Sequence, residues 1–280
     1  MVHDRREQVR LLNQDLMGEH QAIVHYLTHA WTVVRKFGPS IEAIARDEMR
    51  HFKWLAHTIV GLGGVPDLTP PDELPQFSGL DALNYDIDAE EEAISQYLAH
   101  QRQIANEHVQ ALIGRIVVDE RDHRRTFLDL RSQWVEQDAE PTPERSANPQ
   151  VVHCFETLVS EEYQEILRYL LESFLTRHTR AMGMSAEDRA IDEMKHMSIV
   201  AETLADLGGQ PRFMLPKGGD HSDELRLYGD LRAWASAEMP GLVPLIDRII
   251  SHEQYQEQSN RDADWTVGSG LQGGWAGWMS

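Results

Sequence analysis

Three times the chain repeats an acidic pair followed by a histidine: Asp47-Glu48-Met49-Arg50-His51, Asp119-Glu120-Arg121-Asp122-His123 and Asp192-Glu193-Met194-Lys195-His196. In each, the Glu precedes the His by three residues inside a helical pattern of apolar positions. An α-helix turns by about 100° per residue, so positions i and i+3 share a face and their carboxylate and imidazole reach one ion together. A second phrase, Glu-x-x-Ala-Ile-x-x-Tyr, runs from Glu19 to Tyr26 and again from Glu90 to Tyr97. Glu19 precedes Glu48 by 29 residues and Glu90 precedes Glu120 by 30. The first half of the chain is therefore expected to be two similar helical hairpins, each offering a lone Glu and a Glu-x-x-His pair.

The apolar periodicity supports this division. Val9, Leu12, Leu16, Ile23, Leu27 and Val34 mark a first helix from about Arg5, and a second follows Gly38-Pro39-Ser40 and runs to Leu62. Four prolines and three glycines between Gly63 and Gly79 predict a long loop. A third helix is expected from about Leu80 and a fourth from about Ala111 to near Gln137. A long crossover between the second and third helices suits a bundle whose second and third helices run parallel. Asp138 to Pro149, with three prolines, reads as a linker.

Beyond it the pattern restarts. A shift of 145 residues puts Met49 on Met194, His51 on His196, Gly63 on Gly208, Gly64 on Gly209 and Pro66 on Pro211, and a shift of 143 puts Tyr26 on Tyr169. The second half reads as a diverged copy with room for two shorter helices, about Ser222 to Glu238 and Pro240 to Gln258. Aligning Glu253 with Glu120 places Gln256 where His123 stands, and aligning Glu238 with Glu90 runs the next His position into Leu271; the last histidine is missing either way. The expected fold is all-α, two tandem antiparallel four-helix bundles with the second shortened. The expected organisation is a bundle over 1–138, a linker over 139–150, a degenerate bundle over 151–258 and a Gly/Trp-rich tail over 259–280.

Composition narrows the function. Forty-six acidic against 26 basic residues give a formal charge of −20, which disfavours nucleic acid and anionic membranes and attracts cations. The single cysteine, Cys154, excludes an intrachain disulfide, a four-cysteine iron site and a thiol pair for redox work. The N-terminus lacks the apolar run of a signal peptide, and no stretch approaches the roughly 20 apolar residues that span a bilayer, so a cytoplasmic protein is expected.

Two carboxylate-bridged metal ions need hard oxygen donors and an imidazole each, which a four-helix bundle supplies from two Glu and two Glu-x-x-His helices. The expected ligands are Glu19, Glu48, His51, Glu90, Glu120 and His123, with Glu48 and Glu120 bridging. They share their faces with Ile41, Ile44, Leu55, Ile113, Ile116, Val117 and Phe127, so the carboxylates point inward, where four of them without cations are very costly. Asp47 and Asp119 are placed to hydrogen-bond the outer nitrogen of a ligand histidine.

These residues resemble the ferritin-like di-iron superfamily, in particular bacterioferritin and rubrerythrin. Glu19 to Ala30, Asp47 to His51, Glu90 and Asp119 to His123 match its motif over about Arg5 to Gln137. The resemblance implies an antiparallel bundle with a di-iron centre that reacts with O2 or peroxide; manganese suits the same donors. It gives Tyr26 and Tyr97 a hydrogen bond to a ligand carboxylate. It also places Met49 where bacterioferritin has its haem-ligating methionine, although methionine equally fills helical cores and haem is not expected. In the second half the equivalents are Glu162, Glu193 and His196, with Glu165 beside Glu162 and Glu253 or Glu238 as a further carboxylate: a weak or mononuclear site, or a scaffold that kept only its packing. In the tail, Thr266-Val267-Gly268-Ser269 is similar to the peptide that loads ferritin-like cargo into encapsulin shells, interrupted by Gly270. Homo-oligomers are common in the superfamily.

The expected function is a non-haem di-iron oxidoreductase, a ferroxidase or a rubrerythrin-like peroxide reductase supplied by an external electron donor. An oxidase of a small organic substrate would need an apolar pocket beside the metals. A non-catalytic iron-binding or structural protein would show no turnover.

Overall fold

In a computed structural model the chain is helical, and the described residues are 2–33, 35–72, 77, 79–134, 148–176, 185–215 and 224–262. Val34, most of the expected linker and the Thr266–Ser269 motif with the rest of the tail beyond residue 262 lie outside them. Eight α-helices follow in order: α1 Val2–Thr28, α2 Gly38–Gly61, α3 Gly79–Gln103, α4 Glu107–Ser132, α5 Pro149–Leu175, α6 Ala186–Asp206, α7 Glu224–Glu238 and α8 Val243–Asp262. Among the described residues there is no strand, and no helix is long and apolar enough to cross a membrane. Two compact units result, α1–α6 in one and α7–α8 in the other.

Helices α1 to α4 form the bundle that the periodicity predicts. On α2 the buried positions Ile41, Ile44, Ala45, Glu48, His51, Phe52, Leu55, Ala56 and Ile59 recur at helical spacing, so the Glu-x-x-His pair lies inside the apolar stripe. On α4 the stripe is Val109, Ile113, Ile116, Val117, Glu120, His123, Phe127 and Leu130. Side-chain pairs fix the directions. Tyr26 meets Glu90 and Tyr97 meets Glu19, so α1 and α3 are antiparallel; His51 meets Glu120 and His123 meets Glu48, so α2 and α4 are too. The loop between α2 and α3 must therefore return the length of the bundle, as its proline content suggests.

Helix ends account for the shared Gly-Gly. Gly63 N–H donates to Val60 O and Gly64 N–H to Ile59 O, while Gly208 N–H donates to Ala205 O and Gly209 N–H to Leu204 O. Both are Schellman caps, and φ of 82° at Gly63 and 81° at Gly208 is the left-handed conformation that glycine adopts without strain. Helix α4 begins at Glu107, four residues before the expected Ala111, because the Asn106 side chain accepts from the His108 and Val109 backbone N–H groups. Helix α1 passes into a π-helical turn over His29–Val33, which the plain 3.6-residue periodicity did not indicate.

The antiparallel pair α5–α6 packs with α1 and α2 inside the first unit. Tyr163 of α5 hydrogen-bonds His20 Nε2 of α1 across 2.6 Å in a buried setting, Phe52 of α2 meets Phe174, and Lys53 pairs with Glu187 of α6. In the second unit, Arg232 of α7 pairs with Asp247 of α8. They have 15 and 20 residues against 25 and 26 in α3 and α4, the shortening expected of the second copy.

Candidate metal centre

All six expected ligands of the first bundle converge at its centre. Glu19, Glu48, His51, Glu90, Glu120 and His123 are between 0 and 5% exposed. Their donor atoms form two groups, Glu19–Glu48–His51–Glu120 and Glu48–Glu90–Glu120–His123, within each of which the atoms lie within 4.8 Å of one another. Only Glu48 and Glu120 belong to both, which is the arrangement of two ion sites sharing two bridging carboxylates.

The imidazoles face inward through Nδ1. His51 Nδ1 lies 2.9 Å from Glu48 Oε2, 3.0 Å from Glu120 Oε1 and 3.7 Å from Glu19 Oε2. His123 Nδ1 lies 2.9 Å from Glu48 Oε1, 3.6 Å from Glu120 Oε2 and 4.0 Å from Glu90 Oε1. One ring proton cannot satisfy three carboxylates. Glu48 Oε1, Glu90 Oε2, Glu120 Oε1 and His123 Nδ1 are all buried without a hydrogen-bond partner. Donor atoms that crowd together yet leave one another unsatisfied fit two cations between them.

Electrostatics lead to the same conclusion. Burial, then the Glu120 and Glu48 carboxylates, push Glu19 well above the usual carboxylate range; burial, then Glu48 and Glu120, do the same to Glu90. Burial opposes the charged form of His123, but Glu120 and Glu48 outweigh it and push the imidazole up to about 10. Burial likewise works against an ionised Glu120, while hydrogen bonds from His123 and His51 bring it down to about 2. Four carboxylates around two imidazoles carry more negative charge than the site can hold without protons or metal.

The outer nitrogens are held crosswise. His51 Nε2 lies 3.2 Å from Asp119 Oδ2 of α4, and His123 Nε2 lies 3.5 Å from Asp47 Oδ2 of α2. Each Asp thus serves the histidine of the opposite helix rather than that of its own phrase. A proton held on Nε2 by the Asp would leave the Nδ1 lone pair free for a metal ion. Replacing Asp119 by Asn preserves shape but offers an amide that can also donate, so metal affinity at the His51 side should fall about 10–100-fold by equilibrium dialysis.

Tyr26 donates to Glu90 Oε1 across 2.6 Å and Tyr97 donates to Glu19 Oε1, again each across the α1–α3 interface. These bonds hold the two carboxylates that belong to only one donor group each. Met49 and Met194, the positions considered for haem, are partly buried. In α5–α6, Glu162, Glu193 and His196 come together, Glu165 pairs with Arg168, and Glu238 and Glu253 lie on α7 and α8 of the other unit.

Two pairs not identified from the sequence flank the centre. His29 Nδ1 lies 2.8 Å from Asp86 Oδ1 and His100 Nδ1 lies 2.7 Å from Asp15 Oδ1, so the first pair joins the π-helical turn after α1 to α3 and the second joins α1 itself to α3. Spacing from the known ligands was the available signal: Asp15 and Asp86 each precede a ligand Glu by four residues. Between α1 and α3 opens a cavity of about 360 Å³ that reaches Glu19, Glu90 and Glu120.

His25 lines the same cavity and is buried against Tyr85. Burial, with a contribution from His29, lowers its imidazole to about 3. Its ordinary value near 6.5 returns on unfolding, so the unfolded chain binds the extra proton and stability is lost as pH falls through that window. His25→Gln should remove about 2 kcal/mol of the stability difference between pH 7 and pH 5, measured by urea denaturation of metal-free protein.

Among known proteins, the ferritin-like domain family matches residues 9–135. A crystal structure of "ferritin like, diiron-carboxylate proteins" from Bacillus anthracis str. Ames is 31% identical, covering 46% of this chain and 99% of that one, with a TM-score of 0.43. No curated protein matches significantly.

Proposed function

The chain belongs, through residues 9–135, to the ferritin-like family, and from that premise we propose that α1–α4 hold a di-iron carboxylate centre that oxidises ferrous iron with O2 or peroxide. Bound there, the iron pair supplies the electrons that reduce the oxidant. The protein's part is geometric. Glu48 and Glu120, which belong to both donor groups, would be shared between two ions, His51 and His123 would each hold one of them, and Glu19 and Glu90 would complete one group each. Tyr26 and Tyr97 hold the end carboxylates by their hydroxyl protons, and Asp119 and Asp47 hold the imidazole tautomers.

The observation that carries this reading is the lining of the α1–α3 cavity. Asp15, Glu19, Asp88, Glu90, Glu92 and Glu120 all line it, and among the described residues no Lys or Arg does. A path edged by six carboxylates favours a cation or a small neutral oxidant over an organic acid or an apolar substrate. With one cysteine in the chain, peroxide reduction would draw its electrons from ferrous iron or an external donor.

Oxygen uptake with limiting ferrous iron tests the proposal. Iron oxidation well above the protein-free rate is expected, with about two Fe2+ consumed per O2 when peroxide is the product. A rate equal to the protein-free control with both O2 and peroxide would overturn it.

A further inference from the structure

Helices α5 and α6 carry a second version of one half of the metal centre. Glu162 on α5 and Glu193 and His196 on α6 are 0, 2 and 3% exposed. His196 Nδ1 lies 3.0 Å from Glu193 Oε2 and 3.8 Å from Glu162 Oε2. In the first bundle, His51 Nδ1 lies 2.9 Å from Glu48 Oε2 and 3.7 Å from Glu19 Oε2. Two carboxylates and an imidazole, taken from an antiparallel helix pair, thus repeat to 0.1 Å the distances of Glu19, Glu48 and His51. Of the charged groups on these helices, Arg168 pairs with Glu165, Lys195 pairs with Asp192, and Arg189 lies over the Tyr169 ring, 5.6 Å from its centroid.

We propose that Glu162, Glu193 and His196 form a third metal site, which takes one divalent transition-metal ion such as Fe2+, Mn2+ or Zn2+. One nitrogen and two carboxylate donors suit these ions, with water completing the coordination. The site takes a single ion because the second half has no other Glu-x-x-His: where α8 carries Glu253, the residue three later is Gln256. Burial matters here as well. Two carboxylates with one neutral imidazole attract a divalent cation more strongly inside the protein than on an exposed helix face, where water screens them. The site depends on none of the six ligands in α1–α4, so it stands or falls independently of the function proposed above.

Metal analysis of the full-length chain, loaded with Mn2+ and freed of excess, tests this. The wild type should hold about three ions per chain, two in the bundle and one in α5–α6. Glu193→Gln combined with His196→Gln should lower the content to about two, and Glu48→Gln combined with Glu120→Gln should leave about one. Glu162→Gln, which removes one charge at constant volume, should weaken the third equivalent at least about tenfold in an EPR-monitored Mn2+ titration. Circular dichroism confirms that each protein is folded; should either double variant unfold, the Glu162→Gln titration decides alone. An ion content unchanged by the α6 substitutions, or an unchanged titration of Glu162→Gln, overturns the proposal.

Discussion

Glu48→Ala should reduce iron oxidation by at least about 100-fold, measured as initial O2 uptake with ferrous iron in excess. Glu48 offers one oxygen 2.9 Å from each ligand histidine, Oε2 to His51 and Oε1 to His123, so a single substitution opens both ion sites at once. Changing a partner that only orients a ligand already costs about 10–100-fold in affinity or activity, and a shared ligand should cost more. Glu19→Ala opens one site only and should leave a larger residue of activity. The opposite ranking would remove Glu48 from the bridging position.

His29→Ala should destabilise the fold by about 3–5 kcal/mol, because it leaves Asp86 as a buried acid without its hydrogen-bond partner. Asp86 is wholly buried, and its Oδ2 has no hydrogen-bond partner, so the 2.8 Å contact with His29 Nδ1 is the interaction that compensates its burial. Burial pushes the Asp86 carboxyl up and His29 pulls it back, the mark of an acid that leans on one neighbour. The double substitution His29→Leu with Asp86→Leu should recover most of the loss, since it removes both partners and refills the space between α1 and α3. Urea denaturation of the two single variants and the double variant gives the coupling energy. Additive losses would mean that the pair contributes nothing as a pair. Asp15 and His100 form a similar contact at 2.7 Å, but Gln96 also donates to Asp15 across 2.9 Å, so the loss there should be smaller.

Much of the bundle was legible because its chemistry and its packing use the same periodicity. Glu48 and His51 fall in the stripe of Ile41, Ile44 and Leu55, and the Glu19 and Glu90 phrases repeat nearly residue for residue, so ligand identity follows from helix geometry. Partners distant in sequence were not legible. That Asp119 serves His51 while Asp47 serves His123 depends on α2 and α4 lying antiparallel, and His100 meets Asp15 across 85 residues without any motif. The start of α4 lies ahead of its apolar pattern because the Asn106 side chain caps the helix there. The repeat relates α5–α6 to α1–α2 in pattern, but it does not indicate that they pack together; the Tyr163–His20 hydrogen bond and the Phe52–Phe174 contact do that, and neither phrase encodes them.

The most direct test of the central claim is iron stoichiometry in the first bundle, determined together with Mössbauer spectroscopy on protein loaded anaerobically and then oxidised. A variant carrying Glu193→Gln and His196→Gln isolates that bundle from α5–α6. The predicted result is about two irons per chain whose spins are coupled through shared carboxylates, with both irons lost when Glu48→Ala and Glu120→Ala are added. Two uncoupled irons, or an iron content unchanged by those two substitutions, would contradict a carboxylate-bridged pair at the centre of α1–α4.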